Sequence, residues 1–208
     1  MKYFLLSVFL FGSLSCTGHT KSEKNLNTEE IASEKILIVY LTRTKNTKAV
    51  AEMIHEQVGG DLVELELINL YPENYQAIVS QVARENETGF LPPLKTKIED
   101  LSSYDIVFVG FPTWGMKLPP PMKSFLSKND LSGKTVIPFN TNAGYGVGSS
   151  FEKVKELCPK SNILEGFSTK GGIERDGVLF VMEGEKEIEV RKEVIKWLEK
   201  IGLEILER

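Results

Sequence analysis

A chain of 208 residues with 41% apolar and 26% charged positions is long enough for one ordinary globular domain plus an extension. A formal net charge of −4 speaks against a broad basic surface, so nucleic acid is not expected as a partner, and membrane contact only through a lipid anchor. With Cys16 set aside, Cys158 has no partner for an internal disulfide and is expected in or beside a helix.

The extension lies at the front. Lys2 precedes an apolar run from Tyr3 to Leu14, then Ser15-Cys16, after which the chain turns polar. The run is too short to span a bilayer and suits the apolar region of an export signal. The cysteine at the cleavage position resembles the lipobox of bacterial lipoproteins. Residues 1–15 are therefore predicted as a signal peptide, Cys16 as the lipidation site, 16–34 as a flexible tether and 35–208 as the folded domain. This places the domain in a bacterial cell envelope, lipid-anchored or periplasmic, with ordinary secretion and an uncleaved N-terminus as alternatives.

Ile36 to Leu41 is an unbroken apolar run, the signature of a strand buried on both faces. Thr42-Arg43-Thr44-Lys45-Asn46-Thr47 follows without one apolar residue, and Val50, Met53, Ile54 and Val58 then recur at helical spacing. A hydroxyl-rich loop feeding a helix N-terminus either caps the helix or binds an anion, because the first N–H groups have no internal partner. It contains no glycine, which excludes both the GxxxxGK[ST] nucleotide loop and the GxGxxG dinucleotide fingerprint.

Gly59-Gly60 is expected to end this helix as a left-handed cap. Leu62 to Ile68 alternates apolar and acidic residues, as an edge strand does. Ala77, Ile78, Val82 and Ala83 mark a second helix ending near Asn86, and Pro92-Pro93 forces irregular chain. Tyr104 to Gly110 is a third strand, opening into Phe111-Pro112-Thr113-Trp114-Gly115-Met116. Prolines 119–121 start a helix carrying Met122, Phe125 and Leu126. Thr135 to Phe139 is a fourth strand whose exit, Asn140 to Gly148, is rich in glycine. Phe151, Val154, Leu157 and Cys158 share one face of a fourth helix. Ile163 to Phe167 reads as a fifth strand, Val178 to Met182 as a short added strand or part of the last connection, and Ile188 to Ile201 as the final helix.

Strands alternating with helices predict an α/β three-layer sandwich with a five-stranded parallel sheet. The loops after strands one, three and four leave from one sheet edge, where such folds bind ligands.

Those three loops, in that order, resemble the flavodoxin family over residues 35–205. Thr42 to Thr47 matches its hydroxyl-rich FMN-phosphate loop, with Lys45 at the usual glycine. Pro112-Thr113-Trp114-Gly115 matches the loop that sets an aromatic against the isoalloxazine, and Thr141-Asn142-Ala143-Gly144-Tyr145-Gly146 the third loop. Tyr71-Pro72 with Tyr75 resembles a bacterial subgroup. The resemblance implies strand order 2-1-3-4-5 and FMN as cofactor. It also implies that Thr42, Arg43, Thr44, Lys45, Asn46 and Thr47 hold the phosphate, and that Trp114 stacks on the ring with Tyr145 on its other face or edge. Gly115 would let a peptide approach the ring, and Thr141, Asn142, Gly144 and Gly146 would complete the site. No catalytic side chain and no metal is implied. The function expected is electron transfer with a redox partner protein, or NAD(P)H-dependent reduction of a small acceptor such as a quinone. A flavin-free, envelope-anchored binding module on the same scaffold is the alternative. A receiver-type domain is disfavoured, since the first strand ends in Tyr40-Leu41 rather than acidic metal ligands.

Overall fold

The computed structural model describes residues 35–206 and Met1. The chain divides at Ala32/Ser33, and everything below concerns the second unit. The signal, the tether and Cys16 lie outside the described residues.

Among the described residues five helices and six strands follow in the order β1 (Ile36–Tyr40), α1 (Asn46–Val58), β2 (Asp61–Glu64), α2 (Tyr75–Thr88), β3 (Ile106–Pro112), α3 (Pro120–Lys128), β4 (Thr135–Asn142), α4 (Ser150–Leu157), β5 (Asn162–Ile163), β6 (Phe167–Lys170) and α5 (Gly184–Lys200). The sheet is parallel throughout in the order β2-β1-β3-β4-β5, and β6 also pairs with β4. The expected order 2-1-3-4-5 holds.

The central strands read as continuous apolar runs because helices cover both faces. Ile38, Tyr40, Ile106, Phe108, Ile137 and Phe139 point towards α1 and α5, where Val50, Ile54, Val194 and Leu198 meet them. Their neighbours Leu37, Val39, Val107, Val109, Phe111 and Val136 point the other way, onto Met122, Phe125 and Val154 of α3 and α4. Phe108, Phe111 and Phe139 are fully buried, each contributing about 1.5–3 kcal/mol by area. Gly110 is required where the ring of Phe139 crosses β3: a Cβ there would lie 2.0 Å from Phe139 Cζ.

The fifth strand position differs from expectation. It is filled by two short strands, β5 against the start of β4 and β6 against its end. The cause is Pro138. Lys134 and Val136 accept from the N–H groups of Asn162 and Leu164 on this side at 2.9 and 3.1 Å. The next residue of β4 facing that way is Pro138, which has no N–H to give, so the ladder lapses over Leu164 to Gly166.

Two local expectations are also corrected, and one left open is decided. Gly59 has φ 71 and ψ −148, a glycine-only region rather than a left-handed cap. Strand β2 stops at Glu64, because Glu66 and Ile68 turn to Thr96 Oγ1 (2.7 Å) and Pro93 O (3.1 Å) instead. Val178–Met182 is part of the last connection, the second of its two readings, and forms no strand among the described residues but a single bridge from Val178 to Ile173. Cys158 is buried beside the end of α4, and burial pushes its thiol up to about 11, which suits packing rather than nucleophilic chemistry.

Candidate functional site

The loop after β1 turns into α1 through Lys45, at φ 64 and ψ −3, with no side-chain cap on the helix. Asn46 is 3% exposed and acts as a surrogate peptide. Its Nδ2 donates to Thr44 Oγ1 at 2.8 Å and to Leu179 O at 2.6 Å, while its Oδ1 accepts from the Val181 N–H at 3.1 Å. Thr47 Oγ1 meets Thr141 Oγ1 at 2.8 Å, joining the first loop to the third. Thr42 Oγ1 is buried with no hydrogen-bond partner. Arg43 is committed elsewhere: its Nε donates to Glu174 at 2.7 Å, and its terminal nitrogens donate to the carbonyls of Pro72 and Glu73 at 3.2 and 2.7 Å.

The loop after β3 is tied to β4 by the Thr113 N–H, which donates to Thr141 O at 2.9 Å, and by Thr113 Oγ1, which donates to Gly146 O at 3.1 Å. Trp114 to Lys117 then closes a two-residue turn, the Lys117 N–H donating to Trp114 O at 3.1 Å. Gly115 and Met116 have φ 56 and 58, the two positive values of a type I′ turn. Gly148 lets the third loop pass beneath; a Cβ on it would stand 2.1 Å from Met116 O. Asn142 shapes that third loop, its Oδ1 accepting from the Gly144 and Gly146 N–H groups at 2.8 and 3.1 Å.

Behind Trp114 stands Tyr71, ring centroids 5.4 Å apart and planes perpendicular. The Tyr71 hydroxyl donates to Glu85, which also accepts from Gln81 Nε2 at 2.8 Å. Burial first, then the hydrogen bond to that carboxylate, push the phenol far above its ordinary range, so it remains a donor.

A cleft of about 740 Å³ opens between these parts. Of the residues singled out from sequence, Arg43, Thr44, Asn46, Thr47, Pro112, Thr113, Trp114, Gly115, Thr141, Asn142, Tyr145 and Gly146 line it. Thr42, Lys45 and Gly144 do not. Two walls were not foreseen. One is the face of α2 formed by Tyr75, Ile78, Val79, Val82, Ala83, Asn86 and Glu87, spaced at three and four residues over three turns. The adjacent apolar pair Ile78-Val79 widens this stripe beyond one core-facing row, which is the signal that was available. The other wall is Gly171–Arg175; a Cβ on Gly172 would lie 2.3 Å from Leu179 O, so this glycine records a close backbone approach.

Lys45 carries the strain of a non-glycine residue in the left-handed region. Lys45→Gly is expected to stabilise the protein by about 1 kcal/mol, read as a higher urea midpoint at unchanged slope. A lower midpoint would mean that the lysine side chain contributes more than its backbone costs.

The fold and the cleft define a doubly wound α/β domain that holds its ligand beyond the carboxyl ends of its strands. A family profile described as Flavodoxin matches residues 35–183, and the chain belongs to the flavodoxin family. The flavodoxin of Nostoc sp. is 25% identical over 152 residues, 71% of this chain and 75% of the relative. A candidate flavoprotein from Bacteroides eggerthii is 29% identical, with a TM-score of 0.66 over 82% of this chain and 99% of that one. A flavoprotein from Lactobacillus acidophilus, solved in complex with FMN, shares the fold at 21% identity and a TM-score of 0.60, over 70% of this chain and 99% of that one.

Proposed function

We propose that this chain binds FMN in the cleft and serves electron transfer. The observation that carries the reading is the start of α1: a 13-residue helix without a side-chain cap, whose first residues, Asn46 and Thr47, line the cleft. A phosphate meets that need, because the first-turn N–H groups and the helix dipole favour an anion by up to about 2 kcal/mol. The hydroxyls of Thr44 and Thr47, which line the cleft, complete its coordination. With Arg43 neutralised by Glu174, the phosphate is held by neutral donors.

FMN supplies the redox chemistry when bound. The indole of Trp114 provides a flat wall for its ring, and exposed Tyr145 stands at the mouth. At Gly115 a Cβ would meet nothing within 4 Å, so a peptide is presented there without a side chain. A redox partner protein is the expected counterpart. The apolar middle of the α2 wall, Ile78, Val79, Val82 and Ala83, favours a second reading, in which NAD(P)H reduces the cofactor and a small planar acceptor such as a quinone takes the electrons.

One experiment addresses both readings. The purified protein is titrated with FMN and the visible spectrum followed, then NADH or NADPH is added with and without a quinone. Yellow protein with saturable binding is expected; no binding at tens of micromolar would leave the flavin-free module standing. Bleaching by nicotinamide and turnover with quinone would select the reductase, and inertness to both the carrier.

A further inference from the structure

Glu85 is a buried carboxylate that neither reading uses. It is 7% exposed, sits on α2 between the cleft-lining residues Val82 and Asn86, and has no cationic partner among its hydrogen bonds. Its two oxygens are assigned separately. Oε2 accepts from the Tyr71 hydroxyl, and Oε1 accepts from Gln81 Nε2 at 2.8 Å, one helical turn back. Burying a carboxylate is costly unless both oxygens are satisfied, so this pair of donors fixes the head group in one orientation. From there the Tyr71 ring reaches the cofactor site, standing perpendicular to the Trp114 indole at 5.4 Å.

We propose that Glu85 is a positioning residue for the cofactor wall, holding Tyr71 by its hydroxyl so that the Tyr71 ring fixes the plane of Trp114. The turn that carries Trp114 leaves this to be done. Gly115, Met116 and Lys117 are all exposed, and the turn closes by a pair of backbone hydrogen bonds that constrain Trp114's backbone and not its side-chain torsions. Perpendicular aromatic contact is the directional form of ring packing, and a phenol anchored at its far end cannot rotate away from it. Tyr71 lies just before Pro72 and the irregular chain leading to Asn74, outside any helix or strand, so without the hydroxyl anchor its ring has no secondary structure to hold it. Glu85 thereby makes α2 a mechanical support of the site as well as one of its walls.

The proposal rests on the FMN reading for its purpose, but its test does not. The chain has two tryptophans, Trp114 at the cleft and Trp197 in the core, where the latter's indole N–H donates to Glu165 O at 2.9 Å. Labelling both with 5-fluorotryptophan gives two fluorine resonances in the FMN-free protein, with Trp197 as the internal control for intact packing. Tyr71→Phe removes the anchor and keeps the ring; Glu85→Leu removes the acceptor; Glu85→Gln keeps an oxygen that accepts from the phenol. The Trp114 line is expected to shift and broaden in Tyr71→Phe and Glu85→Leu and to stay in place in Glu85→Gln, with the Trp197 line constant in all three. FMN affinity should fall about three- to tenfold in the first two variants and recover in Glu85→Gln. An unmoved Trp114 line in Glu85→Leu or in Tyr71→Phe overturns the proposal, as does a Glu85→Gln protein that behaves like Glu85→Leu. Failure of the parent protein to bind FMN would remove the purpose and leave the Trp114 result to decide the positioning.

Discussion

Trp114→Ala is expected to weaken FMN binding by about 10- to 100-fold, the range of ~1–3 kcal/mol found when an aromatic platform is taken from a stacked base. The indole is half-buried: one side rests against Tyr71 and the hydrophobic cluster under β3 and α3, the other borders the cleft. It sits on a turn whose backbone bonds do not involve its side chain, so truncation should remove a wall without unfolding the loop. Isothermal titration with FMN measures the loss, and Trp114→Phe should recover most of it. Unchanged affinity in Trp114→Ala would show that the ring binds elsewhere in the cleft.

Asn46→Ala is the substitution expected to cost most in stability, about 2–4 kcal/mol. The side chain makes hydrogen bonds to Thr44, Leu179 and Val181 from a position 3% exposed. Its removal breaks all three hydrogen bonds, each worth about 0.5–1.5 kcal/mol net. It also frees the Val178–Met182 connection from the first loop, and FMN affinity should fall with it. Asn46→Asp sharpens the measurement: it keeps an acceptor for the Val181 N–H but turns a second acceptor towards Leu179 O, and should be at least as destabilising. Urea unfolding of both proteins provides the check, and a loss under about 0.5 kcal/mol, the range of an ordinary surface change, would refute the role given to this side chain.

Most of the framework was legible in the sequence because a doubly wound sheet writes its central strands as unbroken apolar runs. Ile36–Leu41 and Tyr104–Gly110 have no other economical interpretation, and short helices between them leave only a parallel order. The loops were legible because their chemistry is local: hydroxyls before α1, an aromatic after β3, glycines after β4. What escaped was set by distant partners. Glu85 looks like a solvated helix charge until Tyr71 and Gln81 close on it. Arg43 looks like an anion ligand until Glu174, which lies 131 residues away, captures it. The α2 wall escaped because periodicity tells that a helix has an apolar face and not what that face borders. Pro138 was visible throughout, but its missing N–H matters only once the neighbouring strand is known to lie on that side.

The lapse opposite Pro138 has a consequence outside the cleft. An open parallel sheet ends in edge strands whose unpaired peptide groups can recruit a second chain, and long flat edges do so most readily. Here one edge is β2, four residues long before the chain turns to Pro93 and Thr96. The other is divided into runs of two and four residues by the chain at Leu164 to Gly166. Neither offers a long template, so one proline in β4 also shortens the edge that a neighbouring strand presents.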